Sequence, residues 1–462
     1  MKLKRSTKQE AVSQQSLTQQ MKPSLWWLKL LPKQREAAQF ILDRIDDSGG
    51  VALFAQQRSG KTYITCAVIE RMKPQSTLVI APLTAVDVVW RDALTTLDIC
   101  LLETPEALRG ASRGIYLTHF QGAIKNCRTL TRHTWDLVVI DESQGIKARN
   151  SAQSRMARKF RNARRRLALS GTPIDESPID VWAQMRFVDH TVLGEDWSTF
   201  AEQYCYRGGF KNKKWIFDKD KTKHLLRKLH NHVYRLTTDF MGLKPALLNL
   251  VPVMMLGEQD RIYEQMNEHG IVRFGEDIAT GPLAVTKLTK LIQITGGFVI
   301  DDEGKSHRVG FAKERKLRWL MSRLERPVVI FCQFLHELHA IAEGLRVNQQ
   351  RVGVLWGHIK GQDRVKLIAD FQAGKYDVLV AQMRTGSMSV SFTSSSSLVI
   401  YSTNHSFIDF EQMMFRLQGM TQKKQVNAYL LYCQNTVDED KINAIQVKES
   451  TVYSVVSHFE RS

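Results

Sequence analysis

No apolar run in the 462 residues is long enough to cross a bilayer, and residues 1–22 are polar and basic without an apolar signal core. Both absences point to a cytoplasmic protein with no membrane partner. Cysteine is sparse and scattered over Cys66, Cys100, Cys127, Cys205, Cys332 and Cys433, with no Cys-x-x-Cys. That spacing argues against a disulfide framework or a zinc knuckle and fits a reducing compartment. The pairs His230/His232 and His336/His339 have ligand-like spacing, but no cysteine or acidic co-ligand stands near them, so no structural metal is expected there. Acidic residues also run short: 65 Lys and Arg face 47 Asp and Glu, a net charge of +18. A field of that sign favours a polyanionic partner, nucleic acid above all.

What is present is a soluble globular composition, 43% hydrophobic and 24% charged, long enough for two or three domains. The chain is organised around Val51-Ala52-Leu53-Phe54-Ala55-Gln56-Gln57-Arg58-Ser59-Gly60-Lys61-Thr62. A buried strand there runs into a polar loop, and Tyr63 to Ile69 reads as the helix that follows. Backbone N–H groups of such a loop converge on an anion, and the helix N-terminus adds partial positive charge. Lys61 can reach outer phosphates and the Thr62 hydroxyl can hold Mg²⁺. Ala55 stands where the usual pattern has glycine.

Further strands are expected at Leu78–Ala81, Ile115–Thr118, Leu137–Ile140 and Leu167–Ser170, each ending in polar residues, as in a parallel α/β sheet that binds ligand at its carboxyl edge. Asp141-Glu142-Ser143-Gln144 leaves one of them. Two carboxylates at a buried strand end need a partner: Asp141 can hold Mg²⁺ and Glu142 can orient and deprotonate an attacking water. Gln34, whose amide both donates and accepts, is a candidate reader of adenine. Ser170-Gly171-Thr172-Pro173 offers hydroxyls in a tight turn suited to sensing a phosphate end.

In order, these segments resemble the first motor lobe of superfamily 2 helicases, specifically the SNF2-like DNA translocases. Pro32-Lys33-Gln34 is similar to the family's adenine motif, Ser59-Gly60-Lys61-Thr62 to motif I, and Ala81-Pro82-Leu83 with Trp90 to motif Ia. Leu117-Thr118-His119-Phe120 resembles motif Ib. Asp141-Glu142-Ser143-Gln144 with Ile146-Lys147 and Asn150 matches DEAH-x-IK-N except at its third and fourth letters, and Ser170-Gly171-Thr172-Pro173 is close to motif III. The resemblance implies ATP and Mg²⁺ as cofactors. It makes Lys61, Asp141 and Glu142 catalytic, Arg58, Ser59, Gly60 and Thr62 nucleotide-binding, and Thr118 and His119 DNA-contacting.

A second α/β rhythm starts near Lys313, with strands expected at Val328–Phe331, Val352–Leu355, Val378–Ala381, Leu398–Tyr401 and Val426–Leu431. It has no second phosphate loop, which suggests one ATP shared between two lobes. Gly357, Arg364 and Phe371 fit the family pattern after motif IV; Met383-Arg384-Thr385-Gly386 resembles motif V and implies nucleotide contacts from Arg384 and Gly386. Gln412 to Gly419 lies on motif VI, Q-x-x-x-R-x-H-R: Arg416 matches the first arginine, which implies that it is catalytic and carries transition-state charge, while Gly419 replaces the second, charge-stabilising one. The expected fold is therefore α/β, two RecA-like parallel-sheet lobes with a helical insertion. Its divisions are a disordered basic tail at 1–22, a first lobe at 23–195, a helical protrusion and linker at 196–311, a second lobe at 312–448 and a tail at 449–462.

Lys211, Lys213 and Lys214, with Trp215 interleaved, suit phosphate tracking without base reading. The basic run between Arg155 and Arg166 is either a solvated face or a second path for nucleic acid. The resulting expectation is a monomeric, ATP-driven translocase acting on duplex, forked or branched DNA, of the small bacterial or phage type. A nucleic-acid-binding scaffold with a weakened motor, suggested by Ala55, Gln144 and Gly419, is the competing reading, and an RNA helicase a third.

Overall fold

The computed structural model describes residues 25–443 apart from 98, 103–106, 108–113, 175–176, 360, 384–390, 405–406 and 420. Seven strands form the first sheet: β1 (Gly50–Ala55), β2 (Ser76–Ala81), β3 (Cys100–Leu102), β4 (Gly114–His119), β5 (Leu137–Ile140), β6 (Arg165–Ser170) and β7 (Val233–Leu236). Their order is β3-β4-β2-β5-β6-β1-β7, and every pairing is parallel. Six more form the second: β8 (Leu247–Val253), β9 (Val328–Cys332), β10 (Val352–Leu355), β11 (Val378–Gln382), β12 (Ser397–Ile400) and β13 (Asn427–Cys433), ordered β8-β13-β12-β9-β11-β10 and again all parallel.

Side-chain alternation explains why the strands read as continuous apolar runs. Val51, Leu53 and Ala55 of β1 join one core cluster with Ile41, Ile45, Ile64 and Val68 of the flanking helices. Ala52 and Phe54 join another with Phe160, Trp182 and Phe187. Both faces are covered, so both must be apolar. Each fully buried Val, Leu, Ile or Phe contributes about 1.5–3 kcal/mol. The second sheet repeats the pattern, with Val328, Ile330 and Cys332 in one cluster and Val329 and Phe331 in the other.

The stretch 196–311 is less helical than its sequence pattern suggests. Helices Trp197–Tyr204, Thr222–Leu229, Glu258–His269 and Ala284–Thr295 are present. Between them lie three antiparallel hairpins, pairing 205–208 with 214–217, 271–274 with 277–280, and 298–300 with 306–308. The same stretch supplies β7 to the first sheet and β8 to the second, so the lobes extend into the span read as protrusion and linker. β8 sits at a sheet edge, where Pro252 can be accommodated because a missing N–H costs no ladder bond on the open side.

Candidate active site

Strand order assembles the site. β5, β6 and β1 are neighbours, so the segments leaving their carboxyl ends meet at one edge. These are Asp141-Glu142 after β5, Ser170 to Thr172 at the end of β6, and the loop 56–60 after β1. The loop is tightly held. Ser59 N and Oγ both donate to Gln56 O, at 3.2 and 2.7 Å, and Gln56 Oε1 accepts from Thr238 N and Oγ1 at 2.8 and 3.1 Å. Gly60 turns the chain at φ 91° before helix Lys61–Met72, a left-handed conformation glycine adopts without steric cost.

Gln34 lies under this turn. Its Nε2 donates to Ser59 O at 2.9 Å and its Oε1 accepts from Leu31 N at 2.9 Å. A Cβ at position 60 would come within 2.4 Å of that Nε2. The amide expected to read a base therefore braces the loop as well as lining the cleft.

The carboxylates are held differently from each other. Asp141 is buried; its Oδ2 accepts from Trp90 Nε1 at 2.8 Å and its Oδ1 from Glu142 N at 2.9 Å. Burial, then the Glu142 carboxylate, push its pKa up to about 6 against the pull of Lys61. Glu142 adopts left-handed backbone, φ 51°, and takes Gln57 Nε2 on Oε1 at 3.3 Å and Gln144 Nε2 on Oε2 at 2.7 Å. Gln144 Oε1 in turn accepts from Ser170 Oγ at 2.7 Å, and Ser170 Oγ accepts from Thr172 N at 3.2 Å. A continuous hydrogen-bond chain thus links Glu142 to the Ser-Gly-Thr turn. Lys61 Nζ donates to Ala55 O at 3.1 Å.

The second lobe closes the cleft. Arg416 is buried there, its pKa lowered to about 9 by burial and then by Arg58, with Glu142 opposing. Arg58, at φ 71°, donates from Nε to Phe415 O at 3.3 Å and from Nη2 to Arg416 O at 3.0 Å; burial lowers its pKa to about 10. Gln34, Arg58, Gly60, Lys61, Thr62, Asp141, Glu142, Arg416 and Gly419 line one cavity of about 490 Å³, whose walls also include Leu31, Tyr63 and Met241. Ser59 is buried beside it in the loop. Arg384 and Gly386 lie outside the described residues.

Two family models match the chain: a SNF2-related domain over residues 33–280 and a helicase conserved C-terminal domain over 312–418. The chain belongs to the SNF2-related family. An uncharacterised ATP-dependent helicase of Mycoplasma genitalium is 23% identical over 340 residues, covering 73% of this chain and 32% of its own length. The chromatin structure-remodeling complex subunit snf21 of Schizosaccharomyces pombe is 23% identical over 372 residues, covering 74% and 31%. The chain thus spans about a third of the length of the curated relatives it matches. The solved SWI2/SNF2 ATPase core of Sulfolobus solfataricus in complex with dsDNA is 20% identical, covers 93% of this chain and 94% of that one, and superposes with a TM-score of 0.43.

The residues expected to touch DNA are dispersed over this SNF2-family scaffold. Thr118 is buried at the end of β4, and the His119 ring caps helix Phe120–Lys125 by accepting from Gly122 N at 3.2 Å. Lys211, Lys213 and Lys214 are exposed around the tip of the 205–217 hairpin, where Arg207 stacks on Trp215 at 3.9 Å. Between Arg155 and Arg166 the bases are partly gathered: Arg155, Arg158, Lys159 and Arg161 line a groove of about 590 Å³ with Arg186 and His190. Among the described residues, none of the Arg and Lys side chains lining this groove forms a salt bridge; His190 pairs with Glu195 at 2.9 Å. Burial, with Arg186 and Arg155 adding to it, lowers the Arg158 pKa.

Sequence reasoning missed the Trp90–Asp141 bond, the Gln57 and Gln144 contacts to Glu142, and the apolar wall of Leu31, Tyr63 and Met241. Only Trp90 carried a signal, through its motif Ia resemblance. Among the described residues one His/acid cluster has metal-like spacing, Asp277, Asp301 and His307. His307 Nε2 lies 2.7 Å from Asp301 Oδ2 and Lys305 Nζ 2.5 Å from Asp277 Oδ2, so ion pairing within the cluster already accounts for it. No described helix is long and apolar enough to cross a membrane.

Proposed function

We propose that this chain is a DNA-dependent ATPase that moves along duplex DNA. The observation that carries the reading is the convergence, in one cleft, of Lys61, Thr62, Asp141 and Glu142 from the first lobe with Arg416 from the second. A nucleotide bound there would be held from both sides, so hydrolysis and lobe movement would be coupled.

The side chains fit the chemistry. Asp141 is a buried carboxylate whose burial and like-charged neighbour disfavour ionisation, which suits a position neutralised by Mg²⁺; Thr62 would be the second holder of that ion. Bound Mg²⁺ would neutralise developing phosphate charge. Lys61 meets the outer phosphates. Glu142, steadied by Gln57 and Gln144, orients water and accepts its proton. Arg416 stabilises the charge that develops as the terminal phosphoryl group leaves. Leu31, Tyr63 and Met241 offer an apolar wall to the base.

Nucleic-acid binding is read from the net charge of +18, the exposed lysines at 211–214 and the groove lined by Arg155, Arg158 and Arg186. These are phosphate-binding features without base readers, consistent with duplex tracking. The finer reading is reshaping of forked or branched DNA, or displacement of bound protein, by a monomer. The test is ATP turnover with no nucleic acid, single-stranded DNA, duplex DNA, forked DNA and RNA in parallel. Stimulation by duplex and fork is expected; stimulation by RNA alone would replace this reading with an RNA-dependent one.

A further inference from the structure

We propose that Arg58, on the phosphate-binding loop itself, supplies the second cation that the 412–419 segment lacks, making it a catalytic residue of the hydrolysis; this rests on the ATPase reading above. Gly419 stands where the family pattern has its second arginine, and it lines the same cavity as Arg58, Lys61, Glu142 and Arg416. The missing guanidinium therefore faces a site that already contains another one, contributed from the opposite lobe.

Three features set Arg58 apart from an ordinary loop arginine. Its backbone is left-handed at φ 71°, a conformation that glycine takes freely and other residues only at a cost. Its side chain is half-buried, and it reaches across the lobe junction to Phe415 O and Arg416 O. Those two bonds use Nε–H and one Nη2–H, which leaves the remaining donors of the fork for an anion. Placing it near buried Arg416 is repulsive, and each cation makes the other harder to hold. A phosphoryl group between them reverses that sign, since its oxygens accept from both forks.

In the reaction, the water oxygen forms its bond to the terminal phosphorus and gives its proton to Glu142. The bond from that phosphorus to the bridging oxygen breaks, and its electron pair leaves on ADP. Arg58 enters none of these bonds; it offsets the charge that grows on the bridging and terminal oxygens. Its two carbonyl contacts also tie it to the segment bearing Arg416, so both guanidiniums arrive together when the lobes close.

Arg58→Gly is the informative variant, because glycine suits φ 71° and preserves the loop. Measured with duplex DNA, kcat should fall about 10²-fold or more while KM for ATP changes less than about threefold. Affinity for ADP with fluoroaluminate, a mimic of the transition state, should fall in step, while affinity for ADP alone holds. Restoring the second arginine from the other side, Gly419→Arg, is tight, because its Cβ lies 3.0 Å from Thr393 Cγ2. Thr393→Ser removes that methyl and keeps the hydroxyl that meets Thr421 Oγ1 at 3.0 Å. The triple variant Arg58→Gly, Gly419→Arg, Thr393→Ser should regain at least about tenfold in kcat.

An Arg58→Gly protein with kcat within about threefold of wild type overturns the proposal. So does a kcat loss with unchanged fluoroaluminate affinity, which would make Arg58 a clasp between lobes. A folded triple variant with no recovery refutes the substitution for position 419. Wild-type protein that hydrolyses no ATP removes the ATPase reading itself, a distinguishable failure.

Discussion

Gln144 is the sharpest point at which to probe the site, because its two bonds connect Glu142, the carboxylate proposed to activate water, to the Ser170-Gly171-Thr172 turn. Gln144→Ala removes the 2.7 Å bond to Glu142 Oε2 and leaves Ser170 Oγ without its 2.7 Å acceptor. A hydrogen bond to a charged group is worth about 1.5–3 kcal/mol. At about 1.4 kcal/mol per factor of ten, losing that amount from the oriented carboxylate predicts a kcat between about 10- and 150-fold lower. Ser170→Ala cuts a neutral link, worth about 0.5–1.5 kcal/mol, so a fall of about 2- to 10-fold is expected. If both act through one chain, the double variant should be no worse than Gln144→Ala, leaving a coupling energy that a double-mutant cycle measures. Nucleotide affinity should hold, since neither side chain lines the phosphate loop. Turnover of Gln144→Ala within twofold of wild type, or strictly additive losses, would refute the relay.

Four further outcomes follow from the same geometry. Lys61→Ala and Glu142→Gln should both nearly abolish hydrolysis but part on binding: the first weakens nucleotide affinity, the second retains it, as equilibrium binding of a labelled ATP analogue would report. Arg416→Ala should lower kcat far more than affinity; unchanged turnover would place the charge-stabilising arginine elsewhere. Neutralising Lys211, Lys213 and Lys214 should flatten the dependence of log DNA affinity on log salt, by about 0.9 for each duplex phosphate left without its lysine; an unchanged slope with a weaker affinity on neutralising Arg155, Arg158 and Arg186 would move the path to the groove. In the second lobe, buried Asp438 accepts from Lys313 at 2.7 Å and Lys441 at 3.3 Å. Burial raises its pKa, but the two ammoniums outweigh that and hold it down at about 2, against 3.8 ordinarily. Its stabilisation is therefore complete above about pH 4 and is lost as pH falls toward 2. Asp438→Asn, which leaves two buried cations without their carboxylate, should cost about 3–5 kcal/mol in denaturant unfolding at neutral pH.

The sequence made the sheets legible where both faces are buried. Val51 to Ala55, Leu78 to Ala81 and Val328 to Phe331 are uninterrupted apolar runs, and each is a central strand. β7 escaped notice because Val-Tyr-Arg-Leu is four residues long with its middle pair only partly buried. β8 escaped because an edge strand tolerates exposed Leu247, Leu248 and Leu250, and Pro252, which disguise it as a linker. Motif order leads to the expectation that Lys61, Asp141, Glu142 and Arg416 act together, and these four do line one cleft. Their supports were not legible. Gln34 was read from its amide chemistry alone, and only the fold shows that amide spanning Leu31 N and Ser59 O. Gln144 looked like a damaged letter of a motif, yet both ends of its amide are used.

In the proposed function, hydrolysis drives movement along intact duplex. Displacement of a third strand from a DNA triplex tests it directly, because a motor gripping duplex phosphates sheds that strand without melting base pairs. Melting would cost roughly 1.4 kcal/mol of stacking per step. Displacement by wild-type protein with ATP, none by Glu142→Gln, and poor unwinding of a long blunt duplex are expected. Efficient blunt-duplex unwinding with no triplex displacement would contradict it.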